Sequence, residues 1–298
     1  MKNRKKILEV LDRVILTVFW DVARIKENEK GNSHMHNEEI VNAILSKLSV
    51  RNPKLKNNRE LKNISIGKRV FVLATGPSIK QQDLSKLQGE DCFTISNFFL
   101  HKDIKKIKPI FHFFAPYHEP LELNNFIEVW RMADLALPSE TNMVLGLTSK
   151  SMVEKYNLFS KRKIYYIDLR GMKKVRTDLE KGVMAPQTGP IMMLPVLDYM
   201  GYKEINLIGC DMTMLKQYGG TVENFYETDP RKHATDASSW SGIINELRNQ
   251  LKVMEQFKIY SDYFKNQGVK FRNLSKESWI DFIEKEDYNK VIEEISNS

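Results

Sequence analysis

Val70-Phe71-Val72-Leu73-Ala74-Thr75-Gly76-Pro77-Ser78 decides the fold. Five apolar residues in a row, ended by a Gly-Pro turn, are the pattern of a strand buried on both faces. Such strands belong to parallel sheets covered by helices. Similar short apolar runs recur at 91–96, 109–114, 143–147, 164–167, 205–210 and 269–273. Helical stretches lie between the later runs, one from about Gly189 to Met200 and one from about Gly242 to Asn266. Pro195 falls inside the first, where a kink or a short first turn is expected. Strands alternating with helices give an α/β fold, a Rossmann-like, mostly parallel sheet with helices on both faces. Ligands of such sheets bind beyond the carboxyl ends of the strands. The charged tail from Asp281 reads as a solvated helical face.

The sequence before this core has a different character. Residues 7–26 place Ile7, Leu8, Leu11, Val14, Ile15, Val18, Val22 and Ile25 at helical spacings of three and four, with charge off that stripe. Residues 27–38 are polar, 39–50 suggest a second short helix, and 51–63 are again polar and basic. The division expected is an N-terminal helical appendage, 1–63, and a Rossmann-like catalytic domain, 64–298. The amphipathic helix suits peripheral contact with an anionic membrane, packing on the main domain, or a partner subunit in a homo-oligomer.

Composition narrows the class. A chain of 298 residues, 42% hydrophobic and 28% charged, can bury a sizeable core without disulfides or metals. Cys92 and Cys210 sit in apolar runs and read as small core residues, which excludes a disulfide framework and fits a reducing cytoplasm. The net charge of +8 favours anionic partners. Nucleic acid is not expected, because no binding motif or aromatic-basic platform accompanies that charge. The best membrane-span candidate, 14–20, is too short and is flanked by Arg13 and Asp21. Glu9, Asp12 and Arg13 interrupt any signal-peptide core, so a cytoplasmic location is expected, including the inner face of the membrane.

Five segments carry candidate chemistry. In Thr75-Gly76-Pro77-Ser78, Gly76 permits close backbone approach, and N–H groups at the following helix start can hold phosphate. The segment matches neither the P-loop nor the dinucleotide fingerprint. Asn97, after the second strand, offers an amide to a base, ribose or phosphate. Gln187-Thr188-Gly189-Pro190 opens a helix, with Thr188 able to cap it and Pro190 suited to its first turn. Asp211 follows a buried strand at the ligand-binding end, as a partner for a ligand hydroxyl or metal, or as a turn aspartate. The polar stretch from Asn224 to Asp236 contains Tyr226 and His233, a candidate ligand contact and a candidate proton acceptor. No histidine or cysteine spacing indicates a metal site.

Taken in order, these segments resemble a known family. Val70 to Ser78, Asn97, Thr188-Gly189 and the run from Met200 to Asp211 resemble the bacterial sialyltransferases of glycosyltransferase family 42. The wider relatives are the MptE-like proteins of polysaccharide and flagellin glycosylation and of pterin biosynthesis. The resemblance spans about residues 66–282 and is most specific from Gly201 to Asp211. It implies a Rossmann-like sheet that binds a CMP-activated acidic sugar as co-substrate, without further cofactor. It implies inverting, metal-independent transfer to a surface glycan or glycoprotein acceptor. Gly76, Pro77 and Ser78 would line the nucleotide phosphate and sugar, and Asn97 the nucleotide or donor. Thr188 and Gly189 would hold the donor carboxylate or ring, Tyr226 would stabilise the leaving phosphate, and His233 would be the base. The chain departs from the family at Thr75, at Ala115-Pro116 and near Ala185, where the family has asparagine, asparagine and arginine. Kdo, legionaminate, pseudaminate or another nucleotide donor are therefore alternatives to sialic acid. The rival readings are an MptE-like diphosphokinase using ATP and Mg²⁺, with Asp211 as metal ligand, and a non-catalytic protein of polysaccharide biosynthesis.

Overall fold

The computed structural model describes residues 51–117, 121–171, 174–227 and 240–297. The two N-terminal helices expected over 7–26 and 39–50, and His233, lie outside the described residues. Eight strands form one sheet, all paired in parallel. They are β1 (Arg69–Leu73), β2 (Cys92–Ile95), β3 (Phe111–Phe114), β4 (Asn142–Gly146), β5 (Ile164–Ile167), β8 (Glu204–Ile208), β9 (Lys270–Asn273) and β10 (Glu284–Lys285). A separate parallel pair joins β6 (Leu169–Arg170) to β7 (Val183–Met184). The order across the sheet is β10-β9-β8-β1-β2-β3-β4-β5. The chain therefore winds outward from β1 to β5, then returns to the other side of β1. That reversal between β1 and β8 is the topological switch point, where open α/β sheets bind ligands.

The alternating side chains of β1 explain the layers. Val70 and Val72 enter one core with Ile191 and Leu194 of α4 (Gly189–Met200) and Phe257 and Phe264 of α5 (Ile243–Asn266). Phe71 and Leu73 enter the opposite core. There they join Ile104 of α1 (Ile104–Ile107), Phe126 and Trp130 of α2 (Leu123–Ala136), Val153 of α3 (Lys150–Lys155) and Val291 of α6 (Tyr288–Ser296). Helices thus cover both faces, as the sequence leads one to expect. All seven strands read from the sequence are present, and both cysteines are fully buried. Pro195 sits inside α4 without ending it, and Gly201 closes the helix at φ 89°.

Two sequence expectations change. Residues 51–61, assigned to the appendage, belong to the domain. Their 3-10 turn Pro53–Leu61 buries Leu55 and Leu61, and Asn58 Nδ2 donates to Tyr166 O and Leu179 O at 2.8 and 2.7 Å. The C-terminal tail is not a wholly solvated face. Tyr288, Val291 and Ile292 of α6 are buried, and the Tyr288 hydroxyl donates to Asp83 O at 2.8 Å. Among the described residues no helix is long and apolar enough to cross a membrane.

A buried imidazole joins β2 to β3. His112 Nδ1 lies 2.8 Å from Thr94 Oγ1, and burial pushes the ring's pKa down to about 3. The folded protein keeps His112 neutral where the unfolded chain protonates it, below a pKa of about 6.5. The unfolded state therefore binds more protons between these two values, and stability falls as pH drops through that window. His112→Gln should flatten the slope of unfolding free energy between about pH 6 and 5 by up to ~1 kcal/mol per pH unit. Urea titrations at the two pH values measure it, and equal slopes for variant and parent would refute the assignment.

Candidate functional site

The residues following β1 and β8 meet at the switch point. Gly76 N–H donates to Gly209 O at 2.9 Å. A Cβ on Gly76 would lie 2.5 Å from both Gly209 O and Asp211 Oδ2, so only glycine lets the two chains approach this closely. Asp211 accepts from Ser78 N at 2.9 Å and from Ser78 Oγ at 2.5 Å. The carboxylate thus occupies the start of the short 3-10 turn Pro77–Gln81. On its other side, Asp211 O accepts from Trp279 N at 2.9 Å, and Cys210 N–H donates to Ser275 Oγ at 3.1 Å.

Gly76, Ser78 and Asp211 are engaged with one another at this junction. The N–H groups of Gly76 and Ser78 are spent within the protein, and Pro77 has none to offer. Asp211, only 4% exposed, braces β8 to the turn after β1. A tertiary contact between residues 133 apart decided the matter, and no local pattern announces it.

The cavity lies one step along the same edge. It encloses about 360 Å³, within the range of small-molecule sites. Ala74 and Thr75 enter it from β1, Ile95 and Ser96 from β2, and Phe114, Ala115 and Pro116 from β3. Thr188, Gly189 and Pro190 at the start of α4 form one wall. Phe126, Val129 and Trp130 of α2 form another, and Met214, Val222 and Asn224 close it. Of the sequence candidates, Thr75, Thr188 and Gly189 are brought together here.

Local geometry explains the placements. Gly189 packs so tightly on β2 that a Cβ would fall 2.7 Å from Ile95 Cδ1. Thr188, at φ −150° and ψ 158°, makes no side-chain capping bond, which leaves its hydroxyl at the mouth of the helix. Helix starts favour anions through their dipole and unpaired N–H groups. Among the described residues no charged side chain lines the cavity, and this terminus is a source of positive potential there. Phe225 N–H donates to Thr75 O at 3.2 Å, and the Phe225 ring packs 5.5 Å from both Phe98 and His101. That contact carries Val222 and Asn224 over the end of β1.

Three other candidates fall elsewhere. Asn97 is fully buried in the 3-10 turn Ser96–Leu100, and its neighbour Ser96 faces the cavity instead. Ser96 adopts φ 57°, a left-handed conformation that redirects the chain at the strand end. Gln187 is exposed on a different groove, where its N–H donates to Gln256 Oε1 at 2.7 Å. Tyr226 is half-buried beside Phe225, with ring centroids 5.1 Å apart, and does not line the cavity. Ser96, Asn224 and Trp130 are the lining residues that sequence reasoning missed. The first two stand one or two positions from a residue it chose.

No family model matches the chain, and no curated protein sequence does either. Solved structures similar to it include the following three. One is the sialyltransferase CstII from Campylobacter jejuni in complex with the substrate analogue CMP-3FNeuAc. It is 16% identical, with 73% of this chain and 86% of that chain covered and a TM-score of 0.40. The monofunctional α-2,3-sialyltransferase Cst-I from Campylobacter jejuni is 17% identical, with coverage of 72% and 78% and a TM-score of 0.42. The Maf glycosyltransferase from Magnetospirillum magneticum AMB-1 is 12% identical, with coverage of 78% and 38% and a TM-score of 0.46. Likenesses at these levels add nothing to the assignment of the site, which rests on the residues themselves.

The brace is directly testable. Asp211→Asn retains one acceptor oxygen but loses the charge that both Ser78 donors use, so unfolding free energy should fall by about 1–3 kcal/mol. Ser78→Ala should remove part of the same interaction. The double variant should then lose less than the sum of the two single losses. Strictly additive losses in denaturant melts would show that the two side chains do not act on each other.

Proposed function

We propose that this protein is a glycosyltransferase that moves an acidic sugar from a CMP-sugar to a glycan or glycoprotein acceptor, with inversion and without a metal. The observation that carries the proposal is the convergence of Thr75, Ser96, Asn224 and the Thr188–Gly189 helix start in one cavity beside the switch point. The order of motifs from Val70 to Asp211 supports the same reading, since it resembles the sialyltransferase pattern.

Each group has a role its chemistry suits. The start of α4, with the Thr188 hydroxyl, binds the donor's carboxylate or phosphate through N–H and O–H donors. Thr75, Ser96 and Asn224 supply neutral hydrogen bonds to the nucleotide and sugar hydroxyls. Gly76, Ser78 and Asp211 hold the end of β1 in place and touch no substrate. His233 accepts the proton of the acceptor hydroxyl. That oxygen then bonds to the anomeric carbon as the carbon–oxygen bond to phosphate breaks, and CMP leaves with the bonding pair. The N–H groups at the start of α4 and the Thr188 hydroxyl stabilise the leaving phosphate. The sugar is sialic acid or a related acid such as Kdo, legionaminate or pseudaminate. Thr75 and Ala115-Pro116, in place of two asparagines, set the difference.

The diphosphokinase reading needs Asp211 for Mg²⁺, and Ser78 already engages both oxygens of that carboxylate. Purified protein should release CMP from a panel of CMP-sugars when acceptor is present, and should do so in excess chelator. His233→Ala should lower the rate by about 10²- to 10⁴-fold. Asn224→Ala should chiefly raise KM for the donor. Full activity in His233→Ala would remove the assigned base. Thermal stabilisation by ATP–Mg²⁺ and not by CMP would sink the transferase reading itself.

A further inference from the structure

We infer that the groove along the first half of α5 is a docking site for residues 7–26 of this same chain. The 24-residue helix is divided. Its second half buries Val253, Phe257, Tyr260 and Phe264, whereas none of residues 243–252 is buried. Yet this outer half is apolar. Ile244, Leu247 and Leu251 are 62, 53 and 58% exposed, and Ile243 is 44% exposed. At spacings of three and four they form a second stripe, turned away from the one that packs on the sheet. The stripe runs into an open groove of 690 Å³ whose apolar lining includes Met184, Leu251, Met254, Ile259 and Phe282. A continuous apolar surface of this kind marks an interface.

The point where the chain enters the body identifies the occupant. Asn52 N–H donates to Glu180 O at 2.7 Å, and Arg51 Nε lies 3.7 Å from Glu180 Oε2. Glu180 stands four residues before Met184, which lines the groove. The segment preceding residue 51 thus joins the domain beside it. Residues 7–26 carry the complementary element, an apolar stripe from Ile7 to Ile25. As a helix it is about 30 Å long, and the stretch 243–259 is about 25 Å long. Residues 27–50, of which 27–38 are polar, are long enough to serve as the tether. A tethered segment meets its groove at an effective concentration in the millimolar range. A second copy of the chain would also pay the translational cost of association.

The test places a photoreactive probe in the groove of the full-length chain. Leu251→Cys, with Leu247→Cys as a second position, adds one exposed thiol for a benzophenone maleimide, because Cys92 and Cys210 are both buried. Irradiation should join the probe to residues 7–26 within the same molecule. Adding Leu11→Asp should cut that yield about tenfold, the effect of charging a buried leucine. Cross-links to residues 228–239 would overturn the assignment, as would cross-links between copies in a mixture of isotope-labelled and unlabelled chain. Transfer of the probe to lipid in phosphatidylglycerol vesicles, or no cross-link from either position, would overturn it as well.

Discussion

Two strands that lie far apart in sequence must end side by side, and Asp211 holds them there. β1 and β8 are separated by some 130 residues, and pairing them in parallel requires the whole β2–β7 excursion to close first. Loop closure on that scale carries a large entropic cost. The carboxylate of Asp211, buried against Ser78, provides charge-assisted bonds of about 1.5–3 kcal/mol each at the point of closure. Gly76 is the steric condition for them, since any side chain there would displace Asp211 or Gly209. Once the junction is made, the register Leu73↔Ile208 fixes where Thr75 points, and Phe225 closes over its carbonyl. The cavity is downstream of the brace in this sense. It inherits its shape from a contact that touches no ligand.

Keeping the brace outside the cavity has an electrostatic consequence. A free carboxylate at the end of β8 would repel an anionic donor. Paired with Ser78 and nearly sealed from water, Asp211 is held away from the cavity lining. The described lining residues are neutral, and the α4 terminus faces them without an acidic residue in its first turn. Dipoles and hydrogen bonds at such a terminus operate well where water is largely excluded. The apolar walls from α2 and Pro116 provide that exclusion.

Much of the fold is legible in the sequence because buried parallel strands read as unbroken apolar runs. The two-residue strands β6, β7 and β10 are too short to leave such a run. Helix α2 is different. Phe126, Trp130 and Ala133 mark its buried face at helical spacing, so the signal was present between two strands that drew attention instead. At the site, Thr75, Thr188 and Gly189 are legible because strand ends and helix starts have local signatures. Ser96 is displaced by one position from the expected Asn97, because its left-handed backbone turns the following residue into the core. Asp211 has no signature at all. A strand-end aspartate that binds a ligand and one that caps a neighbouring turn look the same until the partner 133 residues away is known.

Two of the three departures from the sialyltransferase pattern fall in the cavity, and none falls in the junction. Thr75 and Ala115-Pro116 line it, whereas Gly76, Ser78 and Asp211 keep the residues that the brace requires. Pro116 is wedged against β4, where a Cβ on Gly146 would meet its Cγ at 2.5 Å. A polar amide in place of this proline would lose that apolar contact and gain a hydrogen-bonding edge toward the ligand. Replacing amide by proline exchanges a directional contact for a shaped, dry wall. The junction cannot vary in this way, because each of its atoms is matched to a buried partner and a mismatch costs the full desolvation of whatever is left unpaired. The supporting frame is thus constrained by folding. The cavity wall is not held by such matches and is free to vary.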